Sequence, residues 1–212
     1  MRMLLPEDIA RLLKTSLPGQ KSHLKMVPPG RTLTVAYPDI DMVRYSSILL
    51  LLFPSGGQIF TCLTKRNARM RNHPGQISFP GGRIEKGESP EITALREAEE
   101  EIGISPLDVQ ILGRLSELYV SVSRYTVFPY VGWINYQPEF RLNEEEAEKI
   151  LLLPVQKFQK ELEVKHTVMK TSIGMIEVPY YSFEHETIWG ATAMILTEFL
   201  DMIGENSLAI SR

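Results

Sequence analysis

The chain has a single cysteine, Cys62, among 212 residues, which excludes an internal disulfide and fits a reducing compartment. Cys62 sits in an apolar run, the setting of a buried structural thiol rather than a nucleophile. A basic surplus is also missing. The 23 Lys and Arg against 26 Asp and Glu leave a formal charge of −3 and a pI near 5.9, which excludes the broad positive field that nucleic-acid binding exploits. Long hydrophobic runs are absent too: the longest, Ile48 to Phe53, is strand-length and too short to span a bilayer. The opening MRMLLPEDIARLL has two consecutive leucines before Pro6 and carries acids, so neither a signal peptide nor a membrane anchor is expected there. The terminal Ile-Ser-Arg is not a usual peroxisomal tripeptide. A cytoplasmic protein with no membrane or nucleic-acid partner is the expectation.

Residues Gly82 to Ile104 read GRIEKGESPEITALREAEEEIGI and place four glutamates, 97, 99, 100 and 101, within five positions. No lysine or arginine lies between Glu97 and Gly113 to neutralise them. Ser89 as N-cap, Pro90 at the first position, Glu91 in the first turn and Gly103 as the stop predict a helix over 89–102. Ile92, Leu95, Ala98 and Ile102 recur at helical spacing as one apolar stripe. The wheel then sets Glu97, Glu100 and Glu101 on the opposite face and Glu99 nearer the apolar flank. Glu97 and Glu101 form an i,i+4 like-charge pair, which destabilises a helix slightly. A divalent cation would offset that repulsion, since hard cations such as Mg²⁺ take carboxylate oxygens, water and substrate phosphates. Arg96 can reach Glu100 or turn back to Glu88, so it orients rather than ligates. The same run also fits a plain solvated acidic face.

With 43% hydrophobic residues the chain can bury one sizeable core. A single domain over 1–212 is expected, with a helix and arm in 1–43 and a core in 44–204. Pro6–Lys14 reads as a short amphipathic helix with Ile9, Leu12 and Leu13 inward. Ser46–Phe53 and Gln58–Thr64 read as a hairpin. Residues 65–88 form a long structured loop, of the kind that usually carries function, with a short strand at Gln76–Phe79. Val109–Val120 and Val127–Tyr136 read as strands, Glu144–Leu152 as a helix, and Leu162–Met169 with Met175–Phe183 as a second hairpin. Ile188–Gly204 closes as a helix with Ala193, Leu196, Phe199 and Leu200 on one side. Interleaved strands and helices predict an α/β or α+β class with a mixed sheet.

The spacing Gly82, five residues, Glu88, seven residues, Arg96-Glu97-Ala98-Glu99-Glu100-Glu101-Ile102-Gly103-Ile104 resembles the Nudix box, the loop–helix–loop signature of hydrolases of nucleoside diphosphates linked to another group. Ala98 departs from a bulkier aliphatic residue without touching a ligand. Upstream, Leu63 to Gly82 read LTKRNARMRNHPGQISFPGG. This segment is similar to the one preceding the box in the coenzyme A pyrophosphatase branch, matching at Thr64, Arg66, Arg71, His73, Gly75, Gln76, Phe79, Pro80, Gly81 and Gly82. Cys62, Asn67 and Met70 depart from that pattern; the family has serine where Asn67 stands. Val127–Gly132 and Ile188–Ala193 resemble later landmarks of the branch.

The resemblance implies a Nudix-type αβα sandwich and hydrolysis of coenzyme A to 4′-phosphopantetheine and adenosine 3′,5′-bisphosphate with Mg²⁺ or Mn²⁺. Glu97 and Glu101, with Glu100 shared, would hold metal, helped by a carbonyl of Gly81 or Gly82 at a turn fixed by Phe79–Gly82. Arg96 and Glu88 would brace the carboxylates, and Glu146, where the branch has an Asn-Pro-x-Glu pattern, is a candidate base. An acidic helix N-terminus stabilised by the dipole is the competing, slightly favoured reading of the 144–146 run. Lys65, Arg66, Arg69, Arg71 and His73 make a basic stretch suited to phosphates. Arg66, Arg69, Arg71, His73, Gln76 and Phe79 are thus candidate substrate contacts, although a solvated basic loop pairing with the helix acids also fits. His23, His166 and His185 are read as surface or core histidines. Alternatives are ADP-ribose, NADH or a nucleoside triphosphate as substrate, or a non-catalytic nucleotide-binding domain. A homodimer is compatible with an arm that could pack on a neighbour.

Overall fold

The structure is a computed structural model that describes residues 5–31, 33, 43–70, 73–171 and 174–207. Helix α1 (Pro6–Leu12) buries Ile9 and Leu12, and Leu13 is buried just past its end, as the periodicity predicts. A short α2 (Gln20–His23) runs into a 3-10 turn, Leu24–Met26, in a segment read as loop. Strands β1 (Arg44–Ser55) and β2 (Gln58–Arg66) form the expected hairpin. Two short strands, β3 (Ile77–Ser78) and β4 (Gly81–Arg83), precede α3 (Pro90–Ile102). Then come β5 (Gln110–Arg114), β6 (Leu118–Val120), β7 (Tyr125–Trp133), β8 (Ala147–Pro154), α4 (Val155–Glu161), β9 (Lys165–Thr171), β10 (Gly174–Phe183), β11 (Glu186–Trp189) and α5 (Gly190–Ser207).

The main sheet runs β3-β2-β1-β7-β5, with β4 beside β1, β6 beside β7 and β8 beside β2, and β11-β10-β9 make a smaller sheet. It is mixed, because β1 and β7 pair in parallel while their other partners are antiparallel. Leu49, Leu51 and Phe53 point to the α3 side, with Ala94, Ala98 and Ile102. Leu50 and Leu52 point to the other, where α1, α4 and α5 bring Ile9, Phe158, Leu196 and Phe199. All five β1 residues are fully buried. A central strand covered on both faces reads as a continuous apolar run, which explains Ile48 to Phe53.

The hairpin of β1 and β2 stays paired only from Ser55↔Gln58 to Leu52↔Thr61. Beyond that point β1 takes β4 as its neighbour and β2 takes β3, while β8 already pairs with β2 from Phe60 onward. The strands therefore splay, and the turn from Phe79 to Gly81 fills the opening, tied to β1 by the Leu49 amide on the Pro80 carbonyl at 2.9 Å.

Several expectations are corrected. Val109–Val120 is two strands, broken where the Leu115 amide bonds the Pro129 carbonyl at 2.9 Å. Glu144–Leu152 is not a helix: 144–146 form a turn and Ala147–Pro154 is a strand, with Leu151 and Leu153 fully buried. The apolar run Ile150–Leu153 suits either structure by pattern, and pairing with β2 decides it. Ile188 and Trp189 belong to β11, paired with Tyr181 and Tyr180, and the last helix starts at Gly190.

Candidate functional site

Helix α3 has the predicted caps. The Ser89 Oγ accepts the Ile92 amide at 3.3 Å, and Gly103 ends the helix at φ 71°, a left-handed conformation natural to glycine. Its rotation differs from the wheel. Ile92 is 56% exposed and Leu95 only half-buried, while Thr93, Ala94, Ala98, Glu101 and Ile102 face inward. Glu101 is 3% exposed, and Glu99 lies in solvent. The cause is packing: Ala94 and Ala98 let α3 lie close on β1 and β4, which turns Glu97 and Glu101 towards the splayed strands. The three carboxylates are thus graded in depth, with Glu101 buried, the Glu97 side chain 14% exposed and that of Glu100 52% exposed.

Arg96 organises this face. Its Nε donates to Glu88 Oε1 at 2.8 Å, and its Nη2 to Glu88 Oε2 at 3.1 Å and to the Arg83 carbonyl at 3.3 Å. Nη1 lies 2.9 Å from both Glu97 Oε1 and Glu100 Oε2. Thr93 Oγ1 adds a bond to Glu88 Oε2 at 2.8 Å. The Arg96 and Thr93 donors hold the Glu88 carboxyl down to about 2. Glu97 moves the other way, raised chiefly by burial despite Arg96. Gly82 makes room for it, since a Cβ there would lie 2.4 Å from the Glu97 carboxylate.

Burial pushes Glu101 up to about 8, with Glu97 and Glu146 adding to the rise and Arg66 and the Gly81 amide opposing it. Thr64 Oγ1 donates to Glu101 Oε2 at 3.4 Å. The charge of Arg66 reaches this carboxylate and only partly offsets the burial, and the buried Arg66 Nε has no hydrogen-bond partner among the described residues.

The charge of Glu146 reaches both Glu97 and Glu101. The Asn143 amide bonds the Glu101 carbonyl at 2.9 Å, the Glu146 amide bonds the Asn143 carbonyl at 3.0 Å, and the Asn143 side chain caps the turn at the Glu145 amide at 3.1 Å. The site is therefore built from β2, β4, α3 and the turn ahead of β8. The basic stretch divides. Lys65 turns away to Glu186 at 2.9 Å, Arg69 and His73 are exposed, and His73 Nδ1 lies 3.0 Å from Gln76 Oε1. Arg71 lies outside the described residues. Phe79, expected at the substrate, is 2% exposed and packs in the core with Ile77, so it supports the loop from below. Of the other histidines, His23 is buried against Glu198 at 2.8 Å and His166 and His185 are exposed.

Sequence reading missed Thr64, Thr93 and Asn143 as partners of the acids. Thr64 was visible as a matched position; Thr93 bonds Glu88 through a local turn, and Asn143 bonds the Glu101 carbonyl across the fold, neither of which spacing reveals. Among the described residues no group of three or more His, Cys, Asp or Glu side chains is gathered so as to hold a metal; Arg96 stands between Glu97 and Glu100. The donor chemistry still fits a hard cation: buried Glu101, within charge range of Glu97, supplies with it the one or two carboxylates Mg²⁺ takes when substrate phosphates complete its shell.

A sheet whose helix brings carboxylates to a splayed-strand opening beside an arginine suits metal-assisted chemistry on phosphate groups. The NUDIX domain profile matches residues 43–171, and the chain belongs to the Nudix hydrolase family, whose members typically use divalent cations. It is 34% identical over 151 residues to a Nudix hydrolase named NudL from Pectobacterium atrosepticum, covering 68% of this chain and 74% of that protein. With NudL of Photorhabdus laumondii the identity is 32% over 182 residues, covering 85% and 93%. With Nudix hydrolase 3 of Caenorhabditis elegans it is 29% over 182 residues, covering 78% and 75%. Among solved structures, a MutT/nudix family protein from Enterococcus faecalis aligns with a TM-score of 0.54 at 15% identity, over 97% of this chain and 76% of that one. The Nudix hydrolase RenU of M. smegmatis aligns at 0.52 and 15%, over 79% and 87%. These two show the shared fold. Among the described residues no helix is long and apolar enough to cross a membrane.

Proposed function

We propose that this Nudix hydrolase cleaves the diphosphate bond of coenzyme A or its acyl derivatives, releasing 4′-phosphopantetheine and adenosine 3′,5′-bisphosphate, with Mg²⁺ or Mn²⁺. The observation that carries the reading is Arg66, whose charge reaches buried Glu101 and whose buried Nε has no partner among the described residues. A phosphate oxygen would satisfy that donor, and guanidinium–phosphate pairing is strong where water is excluded. The resemblance of Leu63 to Gly82 to the coenzyme A branch supports the choice of diphosphate, and Arg69, Arg71, His73 and Gln76 suit its further phosphate.

Glu97 and Glu101 would hold the cation, with Glu100 within reach and the backbone of Gly81 and Gly82 beside them. Bound there, the cation would neutralise the diphosphate and lower the pKa of an attacking water. Arg96 and Glu88 fix the carboxylates in place, a supporting role that matters for ligand geometry. Arg66 and Arg69 orient the diphosphate. Glu146 takes the proton as the water oxygen bonds to phosphorus and the bridging P–O bond breaks, leaving the bridging oxygen on the departing phosphate.

The test is a panel of coenzyme A, acetyl-coenzyme A, ADP-ribose and NADH, each with Mg²⁺ or Mn²⁺, scored by kcat/KM and product identity. The proposal expects coenzyme A or its thioester to be cleaved best, giving the two named products. Cleavage of ADP-ribose or NADH with coenzyme A left intact would overturn the substrate assignment and leave the reaction class standing.

A further inference from the structure

We propose that Asn67 is a positioning residue that clasps the basic loop to the acidic turn and so sets the carboxylate of Glu146 against Glu97 and Glu101. The inference rests on the reading of Glu146 as the proton acceptor. Asn67 follows Arg66 at the end of β2, where the ladder with β8 shifts register between Lys65 and Arg66. Its amide donates to the Glu146 carbonyl at 2.8 Å, and its side-chain Nδ2 donates to the Glu144 carbonyl at 2.8 Å. Its Oδ1 accepts the Arg69 amide at 2.9 Å, closing the first turn of the basic loop. Next to it the Ala68 amide donates to Glu148 Oε1 at 2.7 Å. With the Met70 amide on the Asn67 carbonyl at 3.0 Å, five bonds gather around one dipeptide, three of them crossing to 144–148.

The residue type matters. A carboxamide has a donor and an acceptor at opposite ends of one rigid plane, so it can hold Glu144 and Arg69 together. The family pattern has serine here, and a single hydroxyl on a shorter stem cannot span both. The clasp has a functional reach because the turn it holds is fixed on its other side to α3, through the Asn143 amide and the Glu101 carbonyl. Glu146 is then located from two directions, by the end of the metal-facing helix and by the loop bearing Arg69. Phosphates engaging the basic loop and the proton acceptor share one frame, which is what a near-attack geometry requires.

Asn67→Asp separates the two roles. It keeps the acceptor for the Arg69 amide, removes the donor to Glu144 and sets a charge against that carbonyl. With coenzyme A and Mg²⁺, or ADP-ribose if coenzyme A is not cleaved, N67D is expected to lower kcat at least about tenfold with KM within about twofold. E148Q retains the Ala68 bond and wild-type kcat. In the E146Q background N67D should cost nothing more, because it acts through Glu146. Amide exchange at 67 and 68 should quicken in N67D while exchange in the core of α3 stays unchanged. Wild-type kcat in N67D, or losses that multiply in the double variant, would overturn the clasp. If E146Q itself turns over normally, the base assignment fails; the clasp then stands on faster exchange at 67 and 68, and unchanged exchange there overturns it.

Discussion

Arg96 grips Glu88 through two donors, Nε at 2.8 Å and Nη2 at 3.1 Å, while its remaining nitrogen reaches Glu97 and Glu100. One guanidinium thus joins the loop ahead of α3 to the acids on the helix. Arg96→Lys keeps the charge and loses the fork, so it is not conservative here. We expect Arg96→Lys and Glu88→Gln each to lower metal-dependent turnover about 10- to 100-fold, with circular dichroism unchanged. Rates within twofold of wild type would show that the brace is only structural.

Gly82→Ala should act through Glu97. A Cβ at Gly82 would lie 2.4 Å from all three atoms of that carboxylate group, and contact so short forces Glu97 to move. Activity is expected to fall with little change in melting temperature, and half-saturation by Mg²⁺ should move to higher concentration. An unchanged Mg²⁺ requirement would remove Glu97 from the metal-holding set.

Thr61 lies fully buried on β2 opposite Leu52 and Leu153, with a hydroxyl that has no partner among the described residues. A buried hydroxyl without a bond costs about 1–3 kcal/mol, and valine has nearly the same shape. Thr61→Val should raise the melting temperature by about 2–4 °C. A lower melting temperature would mean that the hydroxyl is bonded in solution.

Burial pushes the Cys62 thiol up to about 12. Its folded pKa lies above the unfolded value of about 8.5, so its contribution to stability is complete below that pH. The contribution is lost as the pH rises towards 12, because the unfolded thiol ionises first. In urea titrations the stability gap between wild type and Cys62→Ala should narrow from pH 8 to pH 11. A gap that stays constant or widens would contradict the burial seen here.

How much of this was legible in the sequence differs between elements. The caps of α3, the hairpin turn at Gly56-Gly57 and the spacing from Gly82 through Glu88 to Arg96 are local signals, and each marks a local structure. The depth of Glu101 was not legible. A wheel weighted by Ile92 and Leu95 points the helix one way, whereas the small Ala94 and Ala98 let it seat another way. The segment 144–152 misled for a related reason: its acids suit a helix start, but pairing with β2 overrides them. The Arg66–Glu101 relation joins a strand to a helix through the splay of β1 and β2, a tertiary feature with no linear trace.

Buried Glu101 is expected to serve metal-dependent hydrolysis and not the fold. Glu101→Gln replaces it with a neutral side chain of the same shape. The decisive measurement is the Mg²⁺-dependent rate of diphosphate cleavage by this variant, taken beside its melting temperature in the absence of metal. Turnover should fall at least about 100-fold, with a melting temperature equal to or above wild type, because the buried wild-type carboxyl must take up a proton on folding and the amide need not. Wild-type turnover in a folded Glu101→Gln protein would contradict it.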